Sequence, residues 1–414
     1  MTKQGYKQTD VGLIPADWKV KKLGDVGEPK MCKRIFNHQT KKRGDIPFFK
    51  IGTFGKLPDA FISKELYHRF KRKYSFPKEG TILISAAGTI GRLVIYSGED
   101  AYYQDSNIVW IDNDESLISN EYLKHVFPKI KFRTEGSTIN RLYNNILKSG
   151  EFPCPTLSEQ KAIATALSDA DKLMTNLDKL IAKKKDIKKG AMQQLLTPPH
   201  KGGKRLPGFE GEWVMQNLKD IIWFQEGPGV RKYQFTTQGV KLLNGTNIQQ
   251  GVLDLDRTDR YISEKEAFGW YSHFLVDDGD ILIACSGITV ARFDEKVTIA
   301  EKYHLPLCMN TSTMRFKMKS NSIYKGFFMH YLKSSDFKKQ IGGQATGSAQ
   351  LNFGPSHVEK VIMEIPTYNE QKAIAQILSD MDAEITQIET KKEKYQAIKQ
   401  GMMQELLTGK TRLI

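Results

Sequence analysis

One segment of 43 residues occurs twice in this chain. PTLSEQKAIATALSDADKLMTNLDKLIAKKKDIKKGAMQQLLT fills 155–197 and PTYNEQKAIAQILSDMDAEITQIETKKEKYQAIKQGMMQELLT fills 366–408. They align without a gap, 211 residues apart, with 22 identical positions. A repeat of that length fixes the architecture first, because each copy must be one structural unit used twice.

Both copies read as long helices. Ile163, Leu167, Ala170, Met174, Leu177 and Ile181 recur at alternating spacings of four and three, and so do Ile374, Leu378, Met381, Ile385 and Ile388. That is the a/d seam of a coiled coil. Lys184 and Lys392 interrupt it; it resumes at Ile187, Ala191 and Leu195, and at Ile398, Met402 and Leu406. Each helix follows a proline, with Ser158 or Asn369 as the N-cap candidate. Glu159-Gln160 and Glu370-Gln371 lie in the first turns. Pro198-Pro199 stops the first helix. About 39 residues at 1.5 Å each make a rod of roughly 58 Å. Two copies of one helix can pair about a pseudo-two-fold axis, which makes them antiparallel. The other reading is that each helix packs on its own globular domain.

Weaker matches surround the helices. Asp17-Trp18 and Glu212-Trp213 are followed at equal spacing by Leu23 and Leu218. Gly80-Thr-Ile-Leu-Ile-Ser-Ala-Ala-Gly88 resembles Gly279-Asp-Ile-Leu-Ile-Ala-Cys-Ser-Gly287, and Gly136-Ser137 and Gly347-Ser348 precede the helix prolines. Short β-type runs (IPFFKIGTF, TILISAAGTIGRLVIY, NIVWID; VKLLNGTNI, DILIACSGITVARF, TMRFKM) are broken by Gly, Asn and Asp turns. Helical patches at 119–127 and 323–333 make each domain α+β. The expected organisation is a variable domain over 1–154, a helix over 155–200, a second variable domain over 201–365 and a second helix over 366–414.

The chain carries 62 Lys+Arg against 47 Asp+Glu, a net charge of +15, which points to a polyanionic partner. The excess is uneven. Residues 1–154 hold 26 basic and 17 acidic residues, whereas 205–365 hold 19 and 18. In the first domain Lys30, Lys33, Arg34, Lys41, Lys42 and Arg43 precede a strand-type run. Arg69, Arg72 and Lys73 are interleaved with Tyr67, Phe70 and Tyr74. In the second, Arg231-Lys232-Tyr233 occupies the corresponding loop. Arg92 and Arg292 follow equivalent glycine turns, and Asn247 and Arg315 are further candidates by residue type. Lys and Arg at loop tips suit phosphates, and Arg and Asn can read base edges. The lysines of 183–189 read instead as a solvated helical face.

Catalytic patterns are missing. Gly409-Lys410-Thr411 ends like a phosphate-binding loop, but Gln404 stands where its first glycine belongs. Asn352-Phe-Gly-Pro355 does not fit a base-flipping methyltransferase loop. Glu389-Thr-Lys391 has a nuclease-like spacing on a helix, without a companion aspartate on a strand. Cys32, Cys154, Cys285 and Cys308 are far apart, which argues against zinc or a disulfide framework. Few thiols, no apolar N-terminal leader and no long apolar stretch lead us to expect a cytoplasmic protein without a membrane anchor. The residues support a binding protein and give no support for an enzyme.

The chain resembles the specificity subunit of type I restriction-modification systems. The resemblance rests on Gly136-Ser137, Pro155-Thr-Leu-Ser-Glu-Gln-Lys-Ala-Ile-Ala164 and Lys188-Lys-Gly-Ala-Met-Gln-Gln-Leu-Leu-Thr197, with second copies at 347–348, 366–375 and 399–408. Tyr368 stands where the family's leucine, Leu157 in the first copy, is usual. The resemblance implies that each variable domain reads one half of a split target in double-stranded DNA. It implies helices that space the domains and dock two modification (methyltransferase) subunits, with restriction/translocase subunits joining the assembly. It implies no cofactor in this chain; S-adenosylmethionine, ATP and magnesium belong to the partner subunits. Because the two variable domains differ, the two half-sites are expected to differ. The competing reading is a coiled-coil scaffold that recruits protein partners without specific DNA reading.

Overall fold

The structure, a computed structural model, describes residues 4–132, 141–257, 259–342 and 350–413. Gly136-Ser137 and Gly347-Ser348 lie outside the described residues. The chain divides into two compact units: Met1–Asp178 with Thr390–Ile414, and Lys179–Glu389. The division runs through the two long helices rather than at their ends.

The helices span Leu157–Leu195 and Tyr368–Leu406, 39 residues each. Their N-caps are not Ser158 and Asn369. Thr156 Oγ1 accepts from the Glu159 amide at 3.3 Å, and Thr367 Oγ1 from the Glu370 amide at 3.4 Å. Each helix therefore begins right after its Pro-Thr pair, where the threonine hydroxyl is free to cap.

In the first unit a four-stranded antiparallel sheet has the order Pro29–Lys30, Ile108–Ile111, Ile82–Ser85, Leu93–Ile95. A three-stranded sheet places Ile46–Phe49 between Phe61–Ile62, antiparallel, and Tyr102–Tyr103, parallel. Glu151–Cys154 pairs Lys19–Lys22 just ahead of the long helix. The second unit repeats this order with different residues. Its four strands are Ile222–Glu226, Thr313–Met318, Ile281–Ala284 and Val297–Ile299. Its three-stranded sheet places Val240–Leu243 between Tyr261–Ile262 and Leu307–Met309, again antiparallel and parallel. Val214–Asn217 pairs Ile362–Ile365. The expected helical patches are Asn120–Val126 and Lys325–Leu332. One run departs from expectation: after Ala284 the second unit makes a 3-10 stretch over Val290–Lys296 before pairing resumes at Val297.

Each unit has two apolar cores, a larger and a smaller. In the first unit the larger core joins Ile84, Ile111, Phe152 and Tyr122 to Ile163 and Leu167 of one helix and to Leu406 and Leu407 of the other. In the second, Ile283, Phe316 and Phe327 meet Ile374 and Leu378 and also Leu195 and Leu196. Both readings of the helices therefore hold. The opening turns of each helix pack on the domain that precedes it, and the closing turns of the other helix complete the same core.

Within each unit the helix segments run antiparallel. In the first unit Lys399 pairs with Asp171 at 2.5 Å and Lys392 with Asp178 at 2.6 Å. In the second, Lys188 pairs with Asp382 and Lys184 with Glu384, the latter at 2.6 Å. Lys184 and Lys392, which interrupt the apolar seam, each reach a carboxylate on the other helix. Leu177, Ile181 and Ile385 remain buried in that seam, and Ile388 is half-buried.

Candidate nucleic-acid interface

The smaller lobe of the first unit gathers the basic clusters that the sequence separates. Helix Lys64–Lys73 is capped by Ser63, whose hydroxyl accepts from the Leu66 amide at 3.3 Å. It buries Leu66 and Tyr67 and leaves Arg69, Arg72 and Lys73 exposed. Tyr102 Oη donates to the Lys33 carbonyl at 3.0 Å, fixing that residue beside the helix end. The Lys33 and Lys73 ammonium groups lie 5.2 and 5.7 Å from the centre of the Tyr74 ring. Two clusters 40 residues apart in sequence thus meet on one aromatic ring. Arg34 is exposed but ion-paired with Asp105 at 2.8 Å. Lys41, Lys42 and Arg43 are exposed, and Lys30 is half-buried on its strand. Phosphates along a duplex would find an array of cations here whose positions are held by aromatic packing.

The corresponding helix of the second unit, Glu264–Phe268, is capped by Ser263 in the same way but carries two glutamates and one lysine. Gln234 Nε2 ties the Arg231-Lys232-Tyr233 turn to it, donating to Glu266 Oε1 at 2.9 Å. Arg231, Lys232 and Tyr233 are exposed. Equivalent places in one fold thus carry cations in one unit and mixed or aromatic groups in the other.

Two residues chosen by type are withdrawn from the interface by the structure. Arg315 is 5% exposed. Its guanidinium pairs with Asp280 at 3.0 Å, bonds Gln225 Oε1 and the His273 carbonyl at 2.9 and 2.8 Å, and lies over the Trp223 ring. Its donors are used internally, so it joins strands rather than reading DNA. Asn247 is fully buried: its Oδ1 accepts from the Asn244 amide at 2.9 Å and its Nδ2 donates to the Asp254 carbonyl at 2.9 Å.

Arg92 and Arg292 follow the equivalent strands Ile82–Ser85 and Ile281–Ala284. Arg92 is half-buried, and its Nη1 donates to the Phe54 carbonyl at 2.8 Å. Arg292 is more exposed, paired with Glu295 at 2.8 Å and in contact with Gln249 at 3.3 Å. Lys296, which residue type did not single out, reaches a backbone carbonyl beyond the strand Val240–Leu243, as Arg92 does beyond Ile46–Phe49. It donates to the Ile248 carbonyl at 2.7 Å.

The helix residues expected to set spacing and dock partners, Leu177 and Ile388 among them, are all buried or half-buried. Glu159, Gln160, Glu370 and Gln371 are buried, so they face the domain and not a partner. Gln160 Nε2 donates to the Leu117 and Pro155 carbonyls at 3.0 Å, and its Oε1 accepts from the Ser119 amide at 2.9 Å. Gln371 does the same with the Ser322 and Pro366 carbonyls, at 2.8 and 2.9 Å, and with the Tyr324 amide, at 2.7 Å. The shared Glu-Gln at each helix start therefore locks helix to domain. Ile163, Leu167, Leu195, Ile374, Leu378 and Leu406 are likewise core residues. Leu157, Tyr368, Ile187 and Ile398, by contrast, are exposed apolar groups at pairwise equivalent positions. The departure Tyr368 packs its ring edge-on against Tyr324, 5.9 Å between centres.

The chain is a two-domain protein of tandem α+β units that share two long helices. The chain belongs to the type I restriction modification DNA specificity domain family, which matches residues 15–188 and again 210–400. The alternative of a scaffold without DNA reading is set aside by that double match. The chain is 56% identical over 160 residues to a putative type I restriction enzyme specificity subunit, S.HindORF215P, of Haemophilus influenzae, a stretch covering 38% of this chain and 42% of that one. It is 28% identical over 422 residues to the type I restriction enzyme MjaVIII specificity subunit of Methanocaldococcus jannaschii, covering 99% and 96% of the two. Among solved structures it shares its fold with the type I restriction-modification S subunit from M. genitalium, with a TM-score of 0.54, 16% identity and coverage of 94% and 96%. A chain from a study of complex assembly and conformational transition in the type I system gives 0.56, 13%, 96% and 99%. Proteins of this family are not themselves catalytic. No helix among the described residues is long and apolar enough to cross a membrane.

Proposed function

We propose that this specificity chain reads an asymmetric, bipartite sequence in double-stranded DNA, one half-site for each unit. It would do so for two modification subunits and, in a restricting assembly, for restriction/translocase subunits. The observation that carries this reading is the contrast between the units. They have the same strand order and the same serine-capped helix, yet the cationic stretch holding Arg69, Arg72 and Lys73 on one corresponds to the uncharged, aromatic Gly-Trp-Tyr-Ser-His-Phe of 269–274 on the other. One scaffold with two different surfaces suits two different half-sites.

The exposed cations of the first unit supply phosphate contacts there. The exposed apolar pairs Leu157/Tyr368 and Ile187/Ile398 are the candidate docking positions on the helices. S-adenosylmethionine, ATP and magnesium are assigned to the partner subunits, and the assembly to the cytoplasm. Methylome sequencing of cells given this chain with its modification subunit tests the reading. Two unlike half-sites separated by an unread spacer are expected, and a continuous or symmetric target would contradict it.

A further inference from the structure

In the second unit the loops that follow Val240–Leu243 and Ile281–Ala284 border a cleft of about 490 Å³. Asn244, Gly245 and Thr246 form one wall, Ser286, Gly287 and Ser312 another, and Arg257, Asp259 and Arg260 the rim. Gly245 lets the walls close: a Cβ there would stand 3.0 Å from the Ser312 carbonyl oxygen and 3.1 Å from the Ala284 side chain. Its amide is already held by Ser312 Oγ at 2.9 Å.

The charges in this cleft are out of balance. Three cations line it with one carboxylate. The Lys296 ammonium bonds the Ile248 and Gly245 carbonyls at 2.7 and 3.3 Å, and among the described residues it has no carboxylate at ion-pair distance. Arg260 lies 5.3 Å from the Phe235 ring centre and also lacks an ion pair among the described residues. Arg257 is paired with Asp254 at 2.9 Å. Burial, followed by the nearby Arg292, holds the Lys296 ammonium below the usual lysine range, with Glu295 opposing and Arg257 adding to the effect. An anion entering the cleft would relieve that crowding. Hydroxyls from Thr246, Ser286 and Ser312 add donors, and among the described residues no aromatic ring lines the cleft to stack a base.

We infer that this cleft seats a phosphate group of the DNA strand, held by Arg257, Arg260 and Lys296. The inference rests on the reading that the chain binds DNA. A free nucleotide has the same phosphate chemistry, but nothing in the cleft would grip its base. The seat also accounts for how a domain with 19 basic and 18 acidic residues holds a polyanion. Its cations are gathered at one concave place, where low dielectric strengthens them. Concentrating charge this way differs from the spread array on the first unit.

The test uses the full chain and its Arg257→Gln/Arg260→Gln double variant; Lys296 is left in place because it holds the Gly245–Ile248 loop. Binding to the target duplex and to a scrambled duplex is measured between about 50 and 200 mM salt. The variant should lose affinity for both duplexes alike, with log K against log salt flatter by up to about 1 unit for the one phosphate seated, because phosphate contacts position without specifying. A thermal melt of both proteins checks that the variant folds. Unchanged slope and affinity would overturn the seat while leaving DNA reading intact, as would loss of target preference at unchanged slope. ATP raising the melting temperature of the parent but not of the variant, with the duplex slope unchanged, would assign the cleft to free nucleotides and overturn it too. Failure of the parent chain to bind either duplex would overturn the DNA reading itself.

Discussion

Arg412 Nη2 lies 2.9 Å from Glu159 Oε2, although 253 residues separate them in sequence. The same carboxylate oxygen accepts from Trp18 Nε1 at 3.0 Å, and Arg412 also grips Asp17 at 2.9 Å. The residues after one long helix therefore clamp the start of the other. The second unit repeats the device, with Arg205 Nη2 2.8 Å from Glu370 Oε2. There, however, Trp213 Nε1, Arg205 Nε and Glu370 Oε1 are buried without a partner among the described residues.

Removing one member of this clamp leaves a buried charge unpaired. Arg412→Ala is expected to destabilise the first unit by about 3 kcal/mol, through the exposed cost of Glu159. Glu159→Gln/Arg412→Ala should recover part of that loss, because it removes the charge and keeps an acceptor for Trp18. Chemical denaturation of the three proteins checks the order. Equal midpoints for both variants would show that the carboxylate is not the source.

Acid sensitivity follows from two equivalent histidines. His125 lies 3.2 Å from Ser168 and His330 lies 3.1 Å from Ser379, each between its domain and a long helix. Burial pushes both imidazoles down to about 4. A group whose folded value is depressed contributes its stability above the unfolded value, near 6.5, and loses it as pH falls toward 4. The melting temperature is therefore expected to drop from about pH 6.5 downward. His125→Gln and His330→Gln should each flatten that decline, by up to roughly 3 kcal/mol at the low end. Melting curves from pH 7.5 to 4.5 that fall equally in parent and variants would remove the histidines from the explanation.

Lys41, Lys42 and Arg43 are exposed, in the same unit as the Lys33–Lys73 pair on Tyr74. Changing all three to alanine should lower duplex affinity without altering target preference. It should also flatten the salt dependence by up to about 3 units. A titration series in rising salt with the parent's slope would take them out of the interface.

The helices offer a length to alter. Ala166 packs against the domain core, so an insertion there would disturb packing as well as length. Matched seven-residue insertions after Ala182 and after Thr390 leave Asp171–Lys399, Asp178–Lys392, Lys184–Glu384 and Lys188–Asp382 in register. They add about 10 Å to each helix, close to three base-pair steps. The methylated target should keep both half-sites and gain spacer. An unchanged spacer would contradict the helices' role as a measure.

The architecture could be read from residues because the repeat is written there. Ile163 and Leu167 match Ile374 and Leu378, and the strand-type runs around Ile84 and Ile283 match too. Sequence alone did not show that these seam residues serve the domain cores, because periodicity marks a buried face and not its partner. Arg315 and Asn247 misled for a related reason: residue type gives donor capacity but not burial, and both spend theirs on the fold. The meeting of Lys33 with Lys73 on Tyr74, and the cleft holding Lys296, depend on loop positions that no local pattern encodes.

The central claim is that each unit reads its own half-site. It is tested most directly by replacing residues 212–365 with a second copy of residues 17–154 and sequencing the methylome of cells carrying that chain with its modification subunit. The account predicts a target made of two copies of the first half-site. Retention of the parent's second half-site would contradict it.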